Sequence, residues 1–177
     1  MKATISNKTK IAAVIIAAVV VLITVFSVIA ALNYRDRWDD IINYESARNN
    51  LDAGVVKRLV WVESKNDPGA VSHRGAKGLM QIMPDTGLWM AERMELSISV
   101  EALFDPQTNI KIGTAYLAYL KSRFNGDIRL ALIAYNAGEG TLRRWLSNPE
   151  LMEDGVLVTI PYRETRDYVR KILKTEQ

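Results

Sequence analysis

The chain has 177 residues, 49 % of them hydrophobic and 24 % charged, which suits one domain of ordinary size. Its formal net charge of +3, from 23 basic and 20 acidic residues, is too mild for a nucleic-acid footprint, and no basic stripe interleaved with aromatics runs through it. With no cysteine, a single histidine (His73) and no carboxylates at ligand spacing, no metal centre and no cofactor are expected, and a lipid-modified amino-terminal cysteine is excluded.

Residues 1–10 carry Lys2, Lys8 and Lys10. They precede an uncharged run from Ile11 to Leu32 in which only Thr24 and Ser27 are polar. As a helix this run spans about 33 Å, enough for a hydrocarbon core of about 30 Å. A cleaved secretory signal would use Val28-Ile29-Ala30, but its apolar region is typically only about 7–15 residues long. The longer run therefore favours one retained transmembrane signal anchor over 11–32, with residues 1–10 in the cytoplasm. Arg35, Arg37 and Arg48 follow closely, so the Lys/Arg balance across the span is nearly even and does not fix its orientation.

Helical spacing dominates the rest. Asp36 to Arg48, with Trp38, Ile41, Ile42 and Glu45 on one face, reads as a short amphipathic helix within a juxtamembrane segment 33–50. The expected domain occupies 51–177. Its first helix runs from Asp52, a capping residue, to Glu63. Pro84 opens the next, and Pro106 to Phe124 gives a long buried one ended by Asn125-Gly126. Asp127 to Tyr135 and Thr141 to Trp145 follow, split by Asn136-Ala137-Gly138-Glu139-Gly140. The last helix starts after Pro161. Strand material is expected only in Ala70–Met83, as a small hairpin. The fold class is mostly α, with a small β-hairpin region, behind one amino-terminal transmembrane helix.

Several chemistries fail on the residues. His73 has no nucleophile elbow near it, and Gly69 to Gly75 lacks phosphate-loop spacing, with no Ser or Thr after Lys77. Glu63 remains as a lone acid. Val60 and Leu59 lie one turn earlier on its helix face and Trp61 and Val62 beside it; desolvation by such neighbours raises a carboxylate pKa. The partial negative charge of a helix C-terminus pushes the same way. A glutamate raised toward neutral pH can give a proton and later take one back. Taken alone, a glutamate at a helix end is more often a solvated surface group, so its company decides.

That company is four motifs in order: Glu63-Ser64; Gly78-Leu79-Met80-Gln81 with Pro84 beyond; Ala134-Tyr135-Asn136-Ala137-Gly138; and Ile160-Pro161-Tyr162-Arg163-Glu164-Thr165-Arg166-Asp167-Tyr168. Asp105-Pro106-Gln107-Thr108-Asn109-Ile110 adds the start of a long helix. On these motifs the chain resembles the catalytic domain of soluble-type lytic transglycosylases, relatives of goose-type lysozyme, over roughly Leu51 to Lys174.

The resemblance implies a lysozyme-like fold and non-hydrolytic cleavage of the β-1,4 bond between N-acetylmuramic acid and N-acetylglucosamine in peptidoglycan. It implies Glu63 as acid and then base, closing a 1,6-anhydro ring, and no cofactor. Ordinary glycosidases use two carboxylates. No second acid stands in an equivalent motif here, and Asp67 before Pro68 reads as a turn residue. The substrate's acetamido group would then stabilise the cationic state.

Ser72 is either a turn serine or orients the acid or a sugar hydroxyl. Gln81 hydrogen-bonds substrate or Glu63, or closes the hairpin. Tyr135 brings a phenol toward Glu63, Asn136 contacts sugar or ends a helix, Glu164 orients as a supporting carboxylate, and Tyr168 stacks or hydrogen-bonds at the cleft floor. Lys65 after the Glu-Ser pair departs from the family pattern. His73-Arg74 place positive charge on a loop that either meets substrate carboxylates or is simply solvated.

Peptidoglycan lies outside the cytoplasmic membrane, so the domain is expected in the periplasm or cell-wall space, with the membrane and glycan strands as partners. A hydrolytic muramidase, or a wall-binding component of an envelope-spanning secretion or division machine, are the alternatives.

Overall fold

A computed structural model of the chain describes residues 7–174, without the side chains of 7–9, 11–14, 30–33 and 35. The chain divides into two compact units, Met1–Arg37 and Trp38–Gln177. The first is one helix, α1 (Asn7–Asp36). Among the described residues, no helix is long and apolar enough to cross a membrane. The transmembrane helix expected over 11–32 is therefore not shown: it is helical, but its described side chains cover only Ile15–Ile29, all exposed.

The second unit begins with α2 (Asp39–Arg48), α3 (Ala53–Ser64) and α4 (Pro84–Arg93), and continues through α5 (Pro106–Arg123), α6 (Ile128–Ala137), α7 (Glu139–Leu146) and α8 (Arg163–Leu173). Short 3-10 turns occupy Val100–Phe104 and Pro149–Leu151. The helix starts are local chemistry. Asp52 accepts from the Val55 amide at 2.8 Å, Asp105 from Thr108 at 2.8 Å, and Asp127 from Arg129 and Leu130 at 2.7 and 3.0 Å. Each satisfies amides that a first turn leaves without intrahelical partners. Pro84 and Pro106 sit in first turns, where a missing N–H matters least.

The core is a single cluster. Leu59 of α3, Ile110, Leu117 and Leu120 of α5, Leu132 and Ile133 of α6 and Ile172 of α8 are all inaccessible to solvent. Each such side chain contributes roughly 1.5–3 kcal/mol by leaving water. Helix α6 lies at the centre, packed on α5, α7 and α8, while α3 packs on α2 and α8. The compact unit starts at Trp38, earlier than the boundary expected at Leu51. The reason is α2, which buries Ile42, Glu45 and Ser46 and is pinned by Lys57 on Asp39 at 2.6 Å and by Asn49 on Thr114 at 3.2 Å.

Strand placement differs from expectation. The one sheet among the described residues is antiparallel, β1 (Met152–Glu153) with β2 (Val156–Leu157), pairing Met152 with Leu157 and Glu153 with Val156. Asp154-Gly155 supplies both positive-φ positions, 49° and 78°, of its tight turn, the Asp-Gly signal that favours two-residue hairpins. In Ala70–Met83 there are only isolated bridges, Val71 to Lys77 and Lys77 to Ile82. Lys77 belongs to both, and turns on either side of it leave no room for a ladder.

Candidate active site

Glu63 is the penultimate residue of α3, on the face of Leu59 and Val60, both fully buried. Anchored by that face, α3 delivers the carboxyl to a cavity of about 420 Å³. Opposite lies α8, whose buried Tyr168 donates its hydroxyl to Glu63 Oε1 at 2.6 Å. The two helices are joined further along, where Arg58 donates to the Ile172 carbonyl and caps the end of α8. The acid is thus held between two helices that are themselves tied together.

Burial is the main force raising the Glu63 pKa from 4.5 to about 7. The Tyr168 hydrogen bond, which favours the carboxylate, works against that shift, and the charge of Glu164 adds to it. Trp61, expected among the desolvating neighbours, is 44 % exposed and carries the Lys65 ammonium over its ring instead. Leu59 and Val60, also expected among those neighbours, are fully buried. Tyr168 is pushed well above the ordinary tyrosine range, first by burial and then by Glu63, so it stays a protonated donor.

The loop after α3 folds back over the cavity. Ser72 closes a turn: its N–H donates to the Ala76 carbonyl at 2.9 Å, its carbonyl accepts from Gly75 at 2.9 Å and its Oγ accepts from the Ala76 amide at 3.0 Å. Gln81, in left-handed backbone at φ 48°, donates its amide to the carbonyls of Ala70 and Gly78 at 3.1 and 2.9 Å. Both side chains line the cavity while also holding the loop; Ser72 closes a turn, and Gln81 ties the loop's carbonyls where no hairpin forms. Among the described residues, neither side chain hydrogen-bonds Glu63.

Tyr135, on α6, donates to the Met80 carbonyl at 2.8 Å. Burial and the nearby Glu63 charge hold its phenol well above the ordinary range. Its hydroxyl proton is used on the loop, so its link to the acid runs through position and charge. Asn136 Oδ1 accepts from the Thr165 hydroxyl at 2.7 Å, joining the end of α6 to the first turn of α8. Glu164 is exposed, lines the same cavity and acts on Glu63 through its field. The cavity therefore brings together Glu63, Ser72, Gln81, Tyr135, Asn136 and Glu164, with Tyr168 behind the acid.

Asn109 and Thr165 were given no role from the sequence. Asn109 is fully buried on α5; its Oδ1 accepts from the Met80 amide at 2.7 Å and its Nδ2 donates to the carbonyls of Lys77 and Leu103 at 2.9 and 2.7 Å. The signal that exposes it is a polar residue on the otherwise apolar face of α5 that carries Ile112, Gly113, Leu117 and Leu120. Close approach completes the fit: a Cβ on Gly78 would sit 2.2 Å from the Leu103 carbonyl oxygen, and one on Gly113 would sit 2.4 Å from the Met80 sulfur. No group of three or more potential metal ligands occurs among the described residues.

Fold and cleft together define a mostly helical, lysozyme-like domain. Residues 40–155 match the family described as Transglycosylase SLT domain, and the chain belongs to that family. It is 35 % identical over 140 residues to the soluble lytic murein transglycosylase of Escherichia coli, covering 77 % of this chain and 22 % of that protein. With the membrane-bound lytic murein transglycosylase E of Buchnera aphidicola it shares 31 % identity over 148 residues, covering 78 % of this chain and 67 % of that one. Among solved structures, an inactive glutamate-to-glutamine mutant of lytic transglycosylase Slt from Pseudomonas aeruginosa superposes with a TM-score of 0.70 at 35 % identity, over 76 % of this chain and 22 % of that one. The 70 kDa soluble lytic transglycosylase of Escherichia coli gives 0.71 at 34 %, over 77 % and 23 %. The chain thus spans about a fifth of the length of these soluble relatives.

Proposed function

We propose that the protein is a membrane-anchored lytic transglycosylase that cuts the MurNAc-β-1,4-GlcNAc bond of peptidoglycan without water. The observation that carries the reading is Glu63: a carboxyl at an open cleft, raised to about 7 and held at 2.6 Å by a tyrosine hydroxyl. At that pKa the group divides its time between acid and base near neutral pH, as a residue that must play both parts requires. Protonated Glu63 gives its proton to the glycosidic oxygen as the bond to C1 breaks. The carboxylate then takes the proton of the muramoyl C6 hydroxyl, and O6 bonds to C1. That transfer leaves Glu63 protonated again, and the product carries a 1,6-anhydro ring. The inactive glutamate-to-glutamine mutant of the Pseudomonas aeruginosa relative supports a glutamate as the essential group in this family.

Tyr168 fixes the carboxyl orientation, Tyr135 and Gln81 hold the loop against the cleft, and Asn136 and Ser72 face the sugar. The anchor is the uncharged run 11–32, which the helical form of α1 and the existence of membrane-bound relatives support. The domain then works in the periplasm or cell-wall space. A second reading has one observation behind it. Glu164 is a second carboxylate on the same cavity and would activate water in a hydrolytic muramidase.

Digestion of purified cell wall, read by mass spectrometry, separates the two. Anhydro ends are one water lighter than hydrolysed ends, and their release should vanish in Glu63→Gln. Release undiminished in that variant removes the mechanism.

A further inference from the structure

Of the eleven arginines in the unit Trp38–Gln177, ten have a partner. Arg48, Arg123, Arg143, Arg163 and Arg170 are in ion pairs. Arg58, Arg129 and Arg166 donate to backbone carbonyls, Arg144 to Thr141, and Arg93 lies over the rings of Trp89 and Tyr119. The remaining one is Arg74, which no ion pair or hydrogen bond engages among the described residues. It lines the same cavity as Glu63, and among the described residues it is the only lysine or arginine to do so.

Its backbone is not loose. Arg74 and His73 are the central residues of the turn that Ser72 closes with three hydrogen bonds, of 2.9, 2.9 and 3.0 Å. The turn fixes the base of the arginine and leaves its guanidinium at the cleft mouth. Across the cavity the charged groups are the carboxyls of Glu63 and Glu164. An anionic substituent entering this cleft meets repulsion from Glu164 and one compensating cation.

Alternate sugars of the glycan differ in this respect. N-acetylglucosamine is uncharged, whereas each muramoyl residue bears a 3-O-lactyl arm that ends in a carboxylate or in a peptide carrying its own. A guanidinium presents a planar fork that matches a carboxylate with two parallel N–H donors. We propose that Arg74, supported by His73, binds the carboxylate of the lactyl arm or its peptide and so sets the register of the strand, placing a muramoyl residue and its C6 hydroxyl beside Glu63. The inference rests on the glycan-cleaving reading above and names the group that makes the cleft selective for it.

The test measures binding in the full chain carrying Glu63→Gln, so that no substrate is consumed. Three probes are titrated: N-acetylglucosamine oligomers without charge, peptide-free glycan strands with free lactyl carboxylates, and strands with intact peptides. Arg74→Ala should weaken one or both anionic probes about tenfold, leave the uncharged oligomer unchanged and reduce the salt dependence of binding; Arg74→Lys should restore part of the loss. Loss on peptide-free strands identifies the lactyl carboxylate, and loss confined to peptide-bearing strands identifies the peptide. Equal loss on all three probes, or loss on none, overturns the proposal. Failure of the wild-type chain to release anhydro ends from cell wall would instead overturn the activity, since the binding measurement does not depend on turnover.

Discussion

Glu63 carries two opposing demands, a shape that needs it buried and a chemistry that needs it to ionise. Its folded pKa of about 7 stands above the unfolded 4.5, so between those values the unfolded chain holds fewer protons. Stability from this group is complete below 4.5 and is lost as pH rises through 7. A neutral glutamine escapes the loss. Glu63→Gln should therefore raise the melting temperature by several degrees at pH 8, corresponding to about 2–3 kcal/mol at most, and leave it unchanged at pH 4. The same variant should lower turnover by about 10³-fold or more, as loss of a general acid does. In the wild type, kcat/KM should fall on the alkaline side with a midpoint near 7, because the first step uses the protonated acid. Tyr168→Phe removes the hydrogen bond that favours the carboxylate, so this midpoint should move upward. Turnover should drop about ten- to a hundredfold through lost orientation. An unmoved midpoint would mean that Tyr168 is only packing.

The raised Glu63 pKa and its cause, burial beside Leu59 and Val60, were legible in the sequence, whereas the tyrosine hydrogen bond that opposes the shift was not. Neighbours in sequence such as Trp61 turn outward, and the residue that grips the carboxyl stands 105 positions later. A pattern of residues marks which side chains matter, but desolvation depends on which surfaces meet.

Among elements, the loop between α3 and α4 owes its shape to α5 and α6 as much as to itself. Asn109 satisfies one amide and two carbonyls, and Tyr135 satisfies the Met80 carbonyl. Asn109→Ala should destabilise the fold by about 3 kcal/mol, since buried backbone groups lose their partners. Chemical denaturation would measure the loss, and a change below about 1 kcal/mol would show that water replaces the amide. Gly113→Ala should displace Met80, whose sulfur the new Cβ would meet at 2.4 Å. Activity is then expected to fall more than stability, read as kcat against denaturation midpoint. Helix starts at Asp52, Asp105 and Asp127 were readable because capping is local. The hairpin was misplaced from Met152–Leu157 to Ala70–Met83: glycines there make turns, while the Asp154-Gly155 signal was passed over.

For the whole molecule, the compact unit starting at Trp38 predicts a boundary that truncation can check. A fragment beginning at Trp38 should fold cooperatively, while one beginning at Leu51 lacks α2 and should melt at lower temperature, with Val55, Leu59 and Thr114 less protected from solvent. The anchor makes a separate prediction. A reporter fused after Gln177 should be active outside the cytoplasm, and activity confined to the cytoplasm would sink the proposed topology.

By itself the sequence determined the mostly helical fold class and the family. Those rest on periodicity, capping and ordered motifs, which are properties of residues near one another along the chain. Only the tertiary structure decided that α2 belongs to the compact unit, that Tyr168 holds Glu63 while Tyr135 holds the loop, and that, among the described residues, Arg74 alone of the unit's arginines stands without a partner at the cleft. Burial, hydrogen-bond pairing and charge compensation are set by which surfaces come together in space, and those surfaces lie up to 114 residues apart in the chain.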